Sequence, residues 1–409
     1  MTDAAWRRYD KGEMTDNHSA SVPTAPSPRL AVACVLGTRP DAVKMAPVIK
    51  EFARFPEQVR LVVISTGQHR EMLDQVLRVF DLHPDHDLGL MQPRQTLADL
   101  TARAITALTP VLEAEKPDLV IAQGDTTTTF AASLAAFYAK ARFGHVEAGL
   151  RTDDKFDPFP EEMNRRMTTR LADFHYAPTE LAERNLLAEG VPAHAVRVTG
   201  NTVVDALLSV AAQEYRFEDG ALADAVARPE RLLLVTAHRR ENWGAPMADV
   251  CRAVLRILET FPDTHVVLPM HKNPAVREVI EPLLSGHARV LLAEPQEYVP
   301  FVHLMKAAHL VLTDSGGAQE EAPSLGKPVL VLRKTTERPE GVFAGTAKLV
   351  GTDADAVFAE AARLLADDAA YKAMARAVSP YGDGSAARRI REWVFEAHGL
   401  GTPNANGAS

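Results

Sequence analysis

The sequence is poor in several features that mark particular classes of protein. Its 409 residues include only two cysteines, Cys34 and Cys251, both in apolar surroundings. This excludes a disulfide scaffold and favours buried free thiols in the reducing cytoplasm. No apolar run approaches the roughly 18 residues that a membrane-spanning helix needs, so we predict no membrane partner. Acidic residues outnumber basic ones, 54 to 45, which argues against a nucleic-acid partner.

Short catalytic signatures are also missing. The sequence contains no HExxH or CxxC motif, so we predict neither a metal site nor a cofactor. It contains no GxSxG elbow, so covalent catalysis by serine is not indicated. The net charge of −9 still allows a small anionic ligand, because a local cluster of Arg, Lys and His can reverse the field inside a cleft.

The two ends of the chain differ from the rest. Residues 1–28 are rich in Ser, Thr and Pro, show no hydrophobic periodicity and have no apolar core of a signal peptide. We interpret them as a disordered tail, and residues 399–409 likewise. The length of the remaining chain predicts two domains.

Short apolar runs alternate with longer Ala-rich amphipathic segments through the rest of the chain. This pattern predicts buried parallel strands covered by helices on both faces, and therefore an α/β fold. We place two Rossmann-like, doubly wound domains at 29–200 and 201–378. The predicted strands are 30–37, 59–66, 117–124, 141–149 and 174–178, followed by 231–239, 264–271, 288–294, 308–315, 327–332 and 347–351.

Charged or glycine-rich clusters follow seven of these strands. They read LGTRP, STGQHR, QGDTTTT and HVEAGLRT in the first half, and AHRREN, PMHKNP and TDSGG in the second. Ligands of doubly wound sheets bind beyond the carboxyl ends of the strands. The sequence therefore predicts a binding site that both halves contribute to.

The turn GTRPDAVK (37–44) has the character of an anion site. Arg39 stands at a helix start, Pro40 suits the first helical position, and Lys44 lies about one turn further on. A glycine turn with solvated charges explains the same residues equally well.

Three carboxylates follow strands of the first half. Asp125 directly precedes a helix, and its position alone favours a capping role. Glu147 closes a buried strand, where an unpaired acid is costly, so a functional role is favoured. Glu161 suits a first helical turn. All three are expected at one rim, where their pKa values can separate so that one acts as an acid and another as a base.

The second half carries the other candidates. His238 and His271 follow predicted strands, and His238 is flanked by arginine. At a helix start, the backbone N–H groups of Ser315, Gly316 and Gly317 suit a diphosphate. Glu321 lies in that helix and can accept hydrogen bonds from a ribose diol. The combination predicts a site for a nucleoside diphosphate.

Together these motifs resemble the non-hydrolysing UDP-N-acetylglucosamine 2-epimerases. The similar blocks run in family order over about residues 31–345. They are GTRPDAVKMAP, TGQHREMLDQV, RQTLADLT, GDTTTTFAASLAAFY, HVEAGLRT, FPEEMNRR, TGNTVVD, HRRENWG and DSGGAQEEAPSLGKPVLVLRKTTERPEG.

The resemblance implies a GT-B-like pair of domains with the active site between them, and a C-terminal helix at 379–398 that returns to the first domain. It also implies a cytoplasmic homodimer in surface-polysaccharide synthesis that interconverts UDP-GlcNAc and UDP-ManNAc by anti elimination and re-addition of UDP. The implied catalytic residues are Asp125, Glu147, Glu161 and His238. The implied substrate-binding residues are Arg39, Lys44, His271, Ser315, Gly316, Gly317 and Glu321.

Some members of that family have a second, activating UDP-GlcNAc site beside the first. The resemblance places this site at Gln68, Arg94, Arg239 and His271. Glu71 departs from the Gln of strongly regulated members, so activation stays open.

Four alternatives remain at this point. A hydrolysing 2-epimerase would release ManNAc and UDP, and a close variant would act on another UDP-sugar. A GT-B glycosyltransferase would use the same UDP site but would not need three carboxylates around one sugar. A non-enzymatic nucleotide-sugar sensor would be expected to have lost at least one of those acids.

Overall fold

The fold is described from a computed structural model. It describes residues 29–67, 70–92, 94–152 and 154–401. The predicted tail at 1–28 and residues 402–409 of the second predicted tail lie outside the described residues, as does Gln68.

The first lobe is built on a seven-stranded parallel sheet with strand order β3-β2-β1-β4-β5-β6-β7. All five strands predicted in this half are confirmed, and two short ones had no prediction: β3 and β7. The strands are β1 (Leu30–Leu36), β2 (Val59–Ser65), β3 (His86–Asp87), β4 (Leu119–Gln123), β5 (Arg142–Val146), β6 (Phe174–Ala177) and β7 (Val196–Val198).

The second lobe is built on a six-stranded parallel sheet with order β10-β9-β8-β11-β12-β13. Its six predicted strands are all confirmed. They are β8 (Arg231–Thr236), β9 (Thr264–Pro269), β10 (Val290–Ala293), β11 (Leu310–Thr313), β12 (Val329–Val331) and β13 (Ala347–Leu349).

Helices connect successive strands, as parallel pairing requires. They are α1 (Arg39–Ala53), α2 (Arg70–Val79), α3 (Leu97–Glu115), α4 (Thr127–Tyr138), α5 (Glu161–Leu171), α6 (Glu180–Ala188), α7 (Thr202–Ala211), α8 (Gly220–Ala227), α9 (Ala245–Thr260), α10 (Pro274–Leu284), α11 (Tyr298–Ala307), α12 (Gly316–Ser324), α13 (Pro339–Phe343), α14 (Ala354–Ala366), α15 (Asp368–Ala375) and α16 (Ala386–Ala397). None of the helices in the described ranges has the length and apolarity to cross a membrane.

Both sheets are doubly wound, and the strand order reverses between β1 and β4 in the first and between β8 and β11 in the second. Ligands of such sheets bind in the crevice at the reversal point. The segments that leave these four strands start near residues 37, 124, 237 and 314, so four of the predicted polar clusters lie at the two crevices.

The start of α1 shows how the chain fixes such a turn. Thr38 caps α1 and forms a reciprocal capping box with Asp41, so the helix begins at Arg39 and Pro40 is its second residue rather than its first. A Cβ on Gly37 would lie only 2.2 Å from Oγ1 of Thr128, at the start of α4. The absence of a side chain at Gly37 therefore lets the α1 turn lie directly against α4.

The C-terminal helix α16 packs on the first lobe. Arg391 pairs with the buried Glu51 of α1 at 3.1 Å, and Phe395 contacts Phe55 with ring centroids 5.5 Å apart. Asp205 of α7 accepts hydrogen bonds from the first backbone N–H groups of α16. The chain that reaches α16 runs close to the segment leaving β7, since a Cβ on Gly200 would lie 3.4 Å from Cα of Gly382.

Candidate active site

A cleft of about 970 Å³ lies between the two lobes. Glu161 and Arg165 line it from the first lobe, and Arg239, Glu337 and Arg338 line it from the second. The cleft is thus lined by side chains of both positive and negative charge, which suits a charged, polar ligand.

Asp125 faces an arginine of α5. Nε of Arg165 donates to Oδ2 of Asp125 at 2.9 Å, and Asn164 donates to the Asp125 carbonyl oxygen. The capping role that its position favoured is wrong, because Thr126 is the residue that caps α4. Thr126 accepts from the N–H of Thr129 with its hydroxyl, which leaves the Asp125 carboxylate for Arg165.

Glu147 is buried at the end of β5, in a left-handed backbone conformation. Nζ of Lys44 lies 2.8 Å and 2.6 Å from its two carboxylate oxygens, and the side-chain amide of Gln123 donates to it as well. Burial alone would raise the pKa of Glu147, but Lys44 and then Arg338 lower it below its ordinary value. The carboxylate is therefore held ionised inside the protein, so it can accept a proton, and its lowered pKa makes it a weaker base than an ordinary glutamate.

Glu161 begins α5 and lines the cleft, one helical turn before Arg165 on the same helix. The next residue, Glu162, is fully buried and accepts from Arg165 and Arg166 and from the backbone N–H of Thr152. Glu162 therefore anchors this helix start, while Glu161 remains at the cleft wall.

His238 lies beside a fully buried carboxylate. Its Nδ1 is 3.0 Å from Oδ1 of Asp314, whose Oδ2 accepts from the backbone N–H groups of His238 and Arg239 and from the amide of Asn242. Burial alone would raise the pKa of Asp314, but these contacts lower it overall. Because Nδ1 faces Asp314, Nε2 on the other side of the ring is directed away from it. The ring of His271 stacks on that of His238, with centroids 6.0 Å apart.

The start of α12 lies against a charged cluster of the cleft. Ser315 is its N-cap residue, followed by Gly316 and Gly317. A Cβ on Gly316 would lie 3.2 Å from Oε1 of Glu337, which also pairs with Arg239 at 2.9 Å. The other oxygen of Glu337 pairs with Arg333, so the acid at the amino end of this helix is held between two arginines.

Glu321 is buried one turn further along α12. The hydroxyl of Tyr298 donates to its Oε1 at 3.1 Å. Burial raises the pKa of Glu321 to about 7, while Tyr298 and the more distant Lys44 and Arg39 act to lower it. The positive charges of Arg39 and Lys44 in the first lobe thus lower the pKa of a carboxylate in the second lobe.

The residues predicted for an activating site are less closely grouped. Arg239 lines the cleft and His271 stacks on His238, but Arg94 is exposed in the segment before α3. Gln68 lies outside the described residues. Across the described ranges there is no group of three or more His, Cys, Asp or Glu side chains placed to hold a metal.

Several polar side chains of this site were not among the predicted residues: Gln123, Arg165, Tyr298, Asp314, Glu337 and Arg338. Asp314 could have been found, since it is an acid at the end of an apolar strand in the cluster TDSGG. Arg165 lies four residues after Glu161 on one helix, and this spacing would have placed it at the same wall.

Two lobes with doubly wound parallel sheets and a polar cleft between them define the GT-B-like class of α/β proteins. A glycosyltransferase structure from Rickettsia africae supports this fold, with a TM-score of 0.60 at 12% identity over 90% of this chain and 98% of that one. The predicted fold class is confirmed.

Closer similarity comes from one family. The family model described as UDP-N-acetylglucosamine 2-epimerase matches residues 51–394. UDP-N-acetylglucosamine 2-epimerases of Bacillus subtilis and Escherichia coli K12 are each 51% identical, over 91% and 89% of this chain and 96% and 98% of theirs. The crystal structure of the Neisseria meningitidis UDP-GlcNAc 2-epimerase bound to UDP-GlcNAc has a TM-score of 0.79 at 48% identity, covering 90% of this chain and 100% of that one. The chain belongs to the UDP-N-acetylglucosamine 2-epimerase family, so the predicted resemblance is confirmed at that level.

Proposed function

We propose that the protein interconverts UDP-GlcNAc and UDP-ManNAc without hydrolysing them. The observation that carries this proposal is the pairing of acids with cations around one cleft. Glu161 lines the cleft itself, and Asp125 pairs with Arg165, which also lines it. Glu147 pairs with Lys44 and interacts with Arg338, another residue of the cleft wall. Three carboxylates around one sugar exceed what simple binding of a neutral sugar requires.

The diphosphate is assigned to the amino end of α12. Backbone N–H groups at Gly316 and Gly317 can donate to phosphate oxygens, and Arg239, which is paired with Glu337, stands beside Gly316. The same groups stabilise the negative charge that grows on UDP as it leaves the sugar. His238, oriented by Asp314, can donate from Nε2 to that charge.

The reaction then proceeds by anti elimination and re-addition. A carboxylate removes the C2 proton, and the electron pair of the C2–H bond forms the C1–C2 double bond. UDP leaves C1 with the electron pair of the C1–O bond. A second acid returns a proton to C2 on the opposite face, and a UDP oxygen forms the bond to C1 again. Glu147 is held ionised by Lys44 and can accept a proton, and the roles of base and acid stay open among Glu147, Asp125 and Glu161.

Proton NMR of the protein with UDP-GlcNAc in D₂O tests the proposal. The expected product is UDP-ManNAc that carries deuterium at C2, with the sugar still attached to UDP. Free ManNAc plus UDP would identify a hydrolysing enzyme instead. An unchanged spectrum would reject both and favour another UDP-sugar or the glycosyltransferase alternative.

Other parts of the assignment are proposals on the strength of the family resemblance. We place the protein in the cytoplasm as a homodimer that serves surface-polysaccharide synthesis, and sedimentation equilibrium would test the dimer. We divide the chain into domains at 29–200 and 201–378, and assign the segment 379–398 to the first domain; the predicted helix of this segment is shorter than expected, since α16 is Ala386–Ala397. In support, each sheet falls within one of the two ranges.

A further inference from the structure

Glu321 has two oxygens with different surroundings. Oε1 accepts the hydroxyl proton of Tyr298 at 3.1 Å, while Oε2 lies 3.8 Å from the position that a Cβ on Gly317 would occupy. Oε1 is therefore fixed by the hydrogen bond from Tyr298, and Oε2 faces the glycine turn at the start of α12. Only the second oxygen is placed to meet a ligand at that turn.

Tyr298 is suited to act as a hydrogen-bond donor to Glu321. Burial and the neighbouring Glu321 raise the pKa of Tyr298 well above its ordinary value, so its hydroxyl keeps its proton and donates. Its ring packs on Phe80 at the end of α2, with centroids 6.2 Å apart. Because Phe80 belongs to the first lobe, the tyrosine that donates to Glu321 in the second lobe also contacts the first.

We propose that Tyr298 is a positioning residue for nucleotide recognition, which fixes Glu321 so that Oε2 accepts hydrogen bonds from the vicinal diol of a ribose. The inference rests on the proposed function, in which a uridine diphosphate lies at the start of α12. Its chemical consequence is discrimination: a nucleotide that lacks one of the two hydroxyls leaves the buried acceptor unpaired and binds more weakly.

Calorimetric titration with UDP and with 2′-deoxy-UDP measures this discrimination directly. We expect the wild-type protein to prefer UDP by about tenfold or more, as a hydrogen bond to a charged group allows. Tyr298→Phe keeps the ring against Phe80 and removes only the hydroxyl, and we expect the preference to fall below about threefold. Glu321→Ala, which removes both carboxylate oxygens, should abolish it, and the double variant should match Glu321→Ala.

A matched control is Tyr371→Phe, which removes a tyrosine hydroxyl that donates to the carbonyl oxygen of His309 at 2.9 Å in the second lobe. A general structural effect of losing such a hydroxyl would appear in this variant too. In turnover assays, Tyr298→Phe should raise KM and leave kcat within about twofold. This pattern is expected when the lost interaction stabilises the bound substrate and the transition state equally. If Tyr298→Phe does not fold, Phe80→Leu loosens the ring contact instead and should lower the same preference.

The pH dependence gives a second readout. The groups that act on Glu321 are Tyr298 from α11, Glu320 from α12, and Arg39 and Lys44 from α1. As pH falls through about 7, Glu321 gains a proton and loses acceptor capacity, so the preference for UDP should decline. Removal of the Tyr298 hydroxyl takes away an interaction that lowers this pKa, so the decline should occur at higher pH. The ratio to 2′-deoxy-UDP cancels the ionisation of the phosphates.

Two results would overturn the inference, and they are distinguishable. If wild type and Tyr298→Phe share the same preference and the same pH profile, Tyr298 does not position Glu321. If the wild type itself does not prefer UDP, the ribose role of Glu321 is wrong. Failure of the epimerase assay in D₂O would reject the proposed function separately.

Discussion

The ion pair of Lys44 and Glu147 is a part of the site where the structure predicts a large response to a single change. Lys44 exposes 16% of its side chain and Glu147 only 4%, and both oxygens lie within 2.8 Å of Nζ. Lys44→Met removes the charge and keeps the apolar stem. It leaves a buried carboxylate without its closest cation.

The size of the effect follows from the burial. Breaking a buried ion pair by removing one partner costs about 3–5 kcal/mol. For a cooperative unit of about 150–250 residues, each kcal/mol lowers Tm by about 2–4 °C. We therefore expect Lys44→Met to melt about 6–20 °C below the wild type. The lower half of that range is favoured, because Arg338 also acts on Glu147.

The loss should depend on pH with a definite sign. In the wild type the pKa of Glu147 is lowered, so its contribution to stability is present above the unfolded pKa, about 4.3, and is lost as pH falls through the folded pKa. Without Lys44, burial raises the pKa of Glu147. The variant therefore loses stability as pH rises above about 4.3, and its deficit should be larger at pH 8 than at pH 5.

Thermal and urea unfolding of four proteins would check this: wild type, Lys44→Met, Glu147→Gln and the double variant, at both pH values. A buried pair replaced by neutral groups is often tolerated, so the double variant should be more stable than the sum of the single losses predicts. Additive losses, or a Lys44→Met deficit that does not grow with pH, would refute the reasoning.

Three further predictions concern other residues of the first lobe. Asp125→Asn and Glu161→Gln should each reduce turnover at least about a hundredfold, within the range of acid–base contributions, while calorimetry still detects UDP binding; near-normal turnover would remove that residue from the mechanism. Gly37→Ala should lower the free energy of unfolding by about 1–3 kcal/mol, measured by urea unfolding, since its Cβ would overlap Thr128; an unchanged value would contradict the close contact. Burial lowers the pKa of His145 to about 3, so folding favours its neutral form, and the free energy of unfolding should decline as pH falls from about 6.5. His145→Gln should make this decline shallower when Tm is measured against pH. The same dependence of Tm on pH in the variant and the wild type would contradict the prediction.

Most secondary structure could be predicted because its signals are local. The strand predicted at 30–37 is observed as Leu30–Leu36, and the one at 231–239 as Arg231–Thr236. A continuous apolar run of this length identifies a buried strand wherever it lies in the fold. The two strands without a prediction, β3 and β7, have two and three residues and are too short to show a pattern.

The candidate site was predictable as a set of residue types but not as a set of partners. Asp125 was favoured as a cap from its position, yet Thr126 performs that function and Asp125 faces an arginine 40 residues away. Lys44 was predicted to bind an anionic ligand, and the structure pairs it with Glu147, 103 residues later. Such pairs depend on which strands lie side by side, which local composition does not encode.

The sequence by itself therefore determined the fold class, the presence of two sheets and the polar clusters at their strand ends, because each depends on short runs of residues. The tertiary structure alone decided how those clusters meet. Strand order places β1 beside β4 and β8 beside β11, and this order results from packing summed over the whole chain. The contacts of Asp314 with His238 and of Tyr298 with Glu321 arise in the same way, because residues distant in sequence become neighbours only when the sheets have formed.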